Sequence, residues 1–227
     1  MVGSSISPKA ASRDETKMIV KMPSVALLAM ALVPCRAQSL KTSTPVVVMQ
    51  VQSCNFAFKD FFHGSISKPG VDNEFRAAGY SANIPVRGSS KTFGFDLTCH
   101  EHFSNVNEVA SHFGGRLNNK TSIWTSDFGE ASKKDIVQLR LVTKTFPLKS
   151  KNGHGFYTIQ DDLDGEPKRR LRHLSYCLFH AEKALCGYGV VKRLIDSKSD
   201  MLPYARGILR TVEFTAALGA TGERKGQ

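Results

Sequence analysis

The sequence carries little that marks a reaction. It has no Gly-x-Ser-x-Gly elbow, no His-Glu-x-x-His helix and no glycine-rich loop set between a strand and a helix. The usual signatures of serine hydrolases, zinc peptidases and nucleotide-binding folds are therefore missing. Gly187-Tyr188-Gly189 and Gly153-His154-Gly155 are strand and turn glycines rather than phosphate loops, because neither leads into a helix N-terminus. Long apolar runs are also lacking. The most continuous one, Val25 to Val33, falls far short of the roughly 20 residues a membrane-spanning helix needs, so no integral span is expected in the mature form. No repeat or low-complexity segment is present, which excludes solenoids and other repeat arrays. Acidic residues are scarce, 20 Asp plus Glu against 31 Lys plus Arg, and there are only five Cys.

An apolar content of 41% with 14 Phe is enough to build a core in a chain of 227 residues. That excludes a disordered chain and a scaffold held by disulfides alone. A pI of about 9.6 would point to nucleic acid in the cytosol, through attraction to phosphates. The start of the chain redirects that reading. Lys17 and Lys21 form a basic flank, Val25 to Val33 an apolar core, and Pro34-Cys35-Arg36-Ala37 a cleavage region with small residues at the right positions. Residues 1–37 are read as an N-terminal extension and cleavable signal peptide, with Met18 as an alternative start to Met1. Residues 38–215 form a single α+β domain and 216–227 a flexible tail. A periplasmic or secreted location follows, with a protein partner, acidic in character, in place of nucleic acid. Leu32 to Cys35 is similar to a lipoprotein cleavage box, but Pro34 stands where a small residue normally precedes a lipidated Cys.

Removing the signal leaves Cys54, Cys99, Cys177 and Cys186, an even number that suits two disulfides in an oxidising compartment. Four Cys allow three pairings. Leu171 to Phe179 and Ala184 to Leu194 read as strands, and a two-residue loop at Ala181-Glu182 puts Cys177 opposite Cys186 in a non-hydrogen-bonded pair. The same count sets Tyr176 opposite Gly187 and Leu174 opposite Gly189, large side chains over bare backbone. Cys54 then pairs with Cys99. Free thiols or a shifted register are the competing readings, since Ala-Glu is not a favoured turn pair.

Along the domain, Val46 to Phe58 is expected as a first strand or strand pair, with turns and a short strand near Ala82 to Val86 in the glycine- and proline-rich stretch that follows. Thr92 to Cys99 alternates Phe93, Phe95, Leu97 and Cys99 as a strand. Ser104 is expected to cap a helix with Val106, Val109, Ala110 and Phe113 on one face. A meander follows, with strands at Ile123 to Phe128, Ile136 to Phe146 and Gly155 to Gln160. Asn152-Gly153 and Asp164-Gly165 mark its turns. Ser199 or Asp200 is expected to cap a last helix, Met201 to Arg210, before a short strand at Thr211 to Thr215. The fold class is thus α+β: an antiparallel sheet meander with one mid-chain and one C-terminal helix packed on it, disulfide-bonded.

This order, closing on Ile208-Leu209-Arg210-Thr211-Val212-Glu213-Phe214, resembles the PsbP-like α/β/α sandwich over Thr92 to Phe214. The resemblance implies a non-catalytic binding or assembly role in a lumen or periplasm. In architecture and export the chain is also similar to periplasmic immunity proteins, small exported α+β proteins that neutralise a type VI secretion toxin.

Candidate chemistry is thin. His100 and His102, flanking Glu101 after Cys99, place two imidazoles on one side of an extended segment, and His112 on the next helix is a third potential metal ligand. No second ligand cluster accompanies them, so neither metal nor cofactor is expected. Ser175 or Ser104 with His173 or His102 is the kind of nucleophile and base pair any such chain offers. Lys168, Arg169, Arg170 and Arg172 form the strongest basic cluster, a candidate contact for an acidic partner or a guard on a strand edge. The reading reached is an exported, non-enzymatic binding protein. A periplasmic hydrolase or metal-binding protein with a dispersed site is the alternative. A concave pocket joining His with Ser or carboxylates favours the alternative, and a broad exposed apolar or basic patch favours the binding module.

Overall fold

The computed structural model describes residues 43–67, 77–86 and 89–216. The extension and signal segment with Cys35, and the tail beyond Ala216, lie outside them. Strands β1 (Val46–Val51) and β2 (Cys54–Lys59) form a hairpin, followed by β3 (Ser65–Ser67), β4 (Ala78–Val86) and β5 (Ser89–Glu101). Helix α1 (Val106–His112) leads into the small hairpin of β6 (Gly115–Asn118) and β7 (Ile123–Ser126). Next come α2 (Lys133–Val142), β8 (Thr143–Lys149), β9 (His154–Asp161), β10 (Leu171–His180) and β11 (Lys183–Arg193). Helix α3 (Leu202–Leu209) and β12 (Glu213–Phe214) complete the described elements.

A seven-stranded sheet, ordered β3-β4-β5-β11-β10-β9-β8, is the middle layer, and all its pairings are antiparallel. Period-two alternation gives each strand two faces. One face carries Phe93, Phe95, Leu97, Leu174, Tyr176, Leu178 and Leu185 into the main core. It packs there against α3 and the three-stranded sheet β1-β2-β12. The other face carries Phe156, Cys177, Phe179, Ala184 and Cys186, which meet Val109, Ala110 and Phe113 of α1 in a second cluster.

The disulfides are Cys54–Cys99, which fastens β2 to β5, and Cys177–Cys186, which joins β10 to β11 with Cα atoms 4.1 Å apart. The β10–β11 register matches the two-residue loop: His180 faces Lys183, Cys177 faces Cys186, Tyr176 faces Gly187 and Leu174 faces Gly189. Ala181 adopts φ 50°, the left-handed conformation such a tight turn demands.

Several elements differ from expectation. The stretch from Ile136 read as a strand is helix α2 up to Val142, and only Thr143–Lys149 is strand. Mid-chain helices therefore number two among the described residues. Val137, Leu139 and Leu141 alternate as a strand would, but α2 buries no residue against a sheet. Its helicity comes from its N-terminus, where Ser132 Oγ accepts from Asp135 N and donates to the Asp135 carboxylate. Helix α1 is capped by Asn105, whose side chain accepts from Asn107 N, while Ser104 lies one residue earlier and donates its hydroxyl to Glu108. Helix α3 starts at an N-cap, Met201, that has no capping side chain, although Asp200 accepts from Leu202 N at 3.1 Å. Strand β4 runs from Ala78, longer than its short expected form. No described helix is long and apolar enough to cross a membrane.

Candidate functional site

Because the sheet is antiparallel throughout, residues align in rows across all seven strands. One row, read from β3 to β8, is Ser67, Gly79, Asp96, Tyr188, Ser175, Thr158, Thr145. Asp96 faces Tyr188 here because the β5–β11 register is the same on both sides of that pair. The row beside it is Ser65, Ser81, Gly94, Val190, His173, Gln160, Thr143. Both rows lie on the α1 side of the sheet, and most of their side chains are short and polar.

Helix α1 covers only part of this face. Its C-terminal carbonyls, left without partners by the end of the helix, are met by hydroxyls from three adjacent strands. Tyr188 Oη donates to His112 O, Ser175 Oγ to Phe113 O at 2.7 Å, and Thr158 Oγ1 to Gly114 O at 3.3 Å. Thr158 also bonds Thr145 at 2.8 Å, which bonds Ser126 at 2.8 Å, so the chain of hydroxyls runs on to the β6–β7 hairpin.

Two grooves flank this seam. The first, about 460 Å³, lies over β3, β4, β5 and β11, where Ser65, Ser67, Ser81, Gly79, Gly94 and Asp96 leave the backbone nearly bare. The second, about 500 Å³, lies between the end of α1, the loop at Asp127–Gly129 and strands β9 and β10. His173, Leu174 and Tyr188 belong to both. The Tyr188 ring stacks on Phe113, with centroids 4.8 Å apart, yet remains 47% exposed, and Val190 beside it is 43% exposed.

Ser175 and His173 stand two residues apart on one face of β10, and each is engaged elsewhere. His173 Nε2 lies 2.9 Å from Asp162 Oδ1, and the Ser175 hydroxyl donates to the Phe113 carbonyl. No hydrogen bond joins Ser175 to His173 among the described residues.

The His segment does not assemble as expected. His100 lies on the α1 side of β5 with its ring edge against Phe113 and its Nε2 buried without a partner. Burial, reinforced by the nearby His112, holds its pKa below the ordinary histidine value. His102 does not share its side: β5 ends at Glu101, and His102 turns to φ 60° with a side chain 82% exposed, near only Glu101. Among the described residues no three His, Cys, Asp or Glu side chains converge as a metal would require.

The basic cluster is largely occupied within the fold. Arg172 makes a two-pronged pair with Asp161 at 2.5 and 2.8 Å, and Arg169 meets Glu166 at 3.3 Å. Arg170 donates to Gly165 O across its own turn at 3.2 Å. Lys168 is exposed and has no ion pair among the described residues.

Asp96, Tyr188, Ser81, Gly79 and Gly94, which shape the first groove, carry no local motif. Only the pairing of strands distant in sequence brings them together. Comparison with protein-family models, curated proteins and solved structures finds no match to the chain.

Proposed function

We propose that this chain is an exported, non-enzymatic binding protein of the bacterial envelope, and that the groove over β3, β4, β5 and β11 receives a segment of another protein. The observation that carries the reading is the open half of the sheet. Its grooves do join His173 with serines and with Asp96 or Asp127, the arrangement that favours the alternative, but it also exposes Tyr188 and Val190 side by side, and a rigid aromatic anchor is a typical centre of protein interfaces. The engagement of the Ser175 hydroxyl with the Phe113 carbonyl supports binding over hydrolysis. Two disulfides support an oxidising destination. Neutralising a toxin, as an immunity protein does, is the form of binding that suits such a small exported domain.

A photo-crosslinking side chain at Ser81 or Val190, in protein produced in the periplasm of its own host, tests this. One discrete adduct should form from both positions and not from Leu141 on the exposed side of α2. Absence of an adduct, or equal labelling from all three positions, overturns the reading. Mass spectrometry of the captured chain, and protection of sensitive cells on co-expression, then decide the immunity role. The mature N-terminus should be Gln38.

A further inference from the structure

Among the described residues Asp96 is the one carboxylate lining the first groove, and that lining contains neither Lys nor Arg. Several other acidic groups have partners: Asp196 holds Lys91, Asp127 holds Arg116, Asp161 holds Arg172 and Glu213 holds Lys151. Glu130, Asp164 and Glu182, which like Asp96 have none among the described residues, stand exposed in turns and bends away from the groove. The Asp96 carboxylate makes no ion pair and accepts no hydrogen bond among the described residues. In a chain with 31 Lys plus Arg against 20 Asp plus Glu, a groove-lining carboxylate with no partner among the described residues stands out.

We infer that Asp96 and Tyr188 form a subsite for a cationic side chain, an arginine guanidinium or lysine ammonium, presented by the protein that the groove binds; this rests on the reading of the groove given above. Directly opposite residues on antiparallel strands have Cβ atoms roughly 4.5–5.5 Å apart. A cation within about 6 Å of the Tyr188 ring centre therefore also lies within reach of the Asp96 carboxylate. A planar guanidinium fits both demands best, since it stacks on the ring while its edge pairs with the carboxylate.

The ring is already fixed. Phe113 stacks on it and its hydroxyl is held by His112 O, so little side-chain freedom is lost when a ligand arrives. Access to the carboxylate is open as well. Asp96 is exposed, its neighbour on β4 is Gly79, and Gly94 lies two residues before it on β5, so neither flanking residue carries a side chain over it. Ser65 and Ser81, hydrogen-bonded to each other at 2.9 Å, line the same groove and can accept the remaining guanidinium protons. Partial burial of the carboxylate pushes the Asp96 pKa up.

The test uses the mature, oxidised protein and a capped Gly-Arg-Gly peptide, followed by amide chemical shifts. Shifts should localise to β4, β5 and β11 around Asp96 and Tyr188. The dissociation constant should rise at least about fivefold in Asp96→Asn and in Tyr188→Ala. Asp96→Asn removes only a charge and should fold normally, which keeps the test valid if Tyr188→Ala loosens α1. A peptide with neutral citrulline in place of arginine should bind at least about fivefold more weakly. Equal binding by the citrulline peptide or by Asp96→Asn, shifts scattered over the surface, or the same shifts with a neutral chito-oligosaccharide each overturn the subsite. An unchanged crosslinking yield in Asp96→Asn would remove this inference and leave the protein-binding groove standing. Arginine-peptide binding without any crosslinked partner would do the reverse.

Discussion

Tyr176 reaches across the bare backbone of Gly187 to donate its hydroxyl to the Asp96 carbonyl at 2.7 Å, linking β10 to β5 over the strand between them. A Cβ on Gly187 would lie 1.8 Å from that carbonyl oxygen. Gly187→Ala should therefore force β11 away from β5 and cost about 2–3 kcal/mol or more, the upper part of the range for overpacked sites. Urea unfolding measures it. A loss below about 1 kcal/mol would mean that the two strands are not held this close.

The three hydroxyls that meet the end of α1 make a graded prediction. Tyr188→Phe and Ser175→Ala each remove one hydrogen bond to a helix-end carbonyl and should cost about 1 kcal/mol. The loss should concentrate in α1, so amide exchange there should accelerate more than in β5 or β10. Uniform acceleration across the sheet would assign these hydroxyls to global stability instead.

For the disulfides, the loop closed sets the expected effect. Cys177–Cys186 spans 9 residues and Cys54–Cys99 spans 45, so the chain-entropy relation gives about 2.6 and about 4 kcal/mol respectively. Paired Cys→Ala variants, compared by denaturant midpoint, should show the larger fall for the second bridge. The reverse order would place most of the value of Cys177–Cys186 in packing within the α1 cluster.

Asp60 and Tyr80 set a pH dependence. Burial alone would raise the Asp60 pKa, but hydrogen bonds from the Tyr80 hydroxyl at 2.7 Å and from the Gly64 and Phe62 amides outweigh it and hold the carboxylate below its ordinary 3.8. The folded state thus favours ionised Asp60. The stability it contributes is complete above the unfolded value and is lost as pH falls through the folded one. Burial first, then the bond to Asp60, raises the Tyr80 pKa above its ordinary 10.0. Above pH 10 the unfolded chain releases that proton and the native one does not, so stability falls there too. The stability gap between wild type and Asp60→Asn should shrink as pH drops below 3.8, and Tyr80→Phe should flatten the alkaline limb. A gap that stays constant from pH 6 to pH 2.5 would show that Asp60 is not held in this way.

The parts legible in the sequence were those governed by short-range counting. The Cys-bearing hairpin is one: loop length, the glycines facing Tyr176 and Leu174, and the cysteine spacing all agree on one register. Helix α2 shows the opposite case. Its β-branched and alternating residues match a strand, and the deciding signal was the Ser132–Asp135 cap rather than any buried face. The His100-x-His102 pair failed because strand alternation holds only while the strand continues, and β5 ends between them. The groove was not legible at all. Its rows draw one residue from each of seven strands, and no local pattern encodes which residue of β5 will stand beside which of β11.

All four disulfide cysteines are sealed, with Cys54, Cys177 and Cys186 fully buried and Cys99 6% exposed. An oxidant cannot reach sulfur atoms closed beneath α1 or inside the main core, so both bridges must form while the chain is still open. Order of events then becomes part of the fold. A chain that closes first in a reducing compartment shuts its thiols away from later oxidation, whereas one delivered unfolded to an oxidising compartment meets the oxidant before its layers close. Refolding reduced protein, with the oxidant added before or after dilution from denaturant, should therefore yield different proportions of bridged molecules.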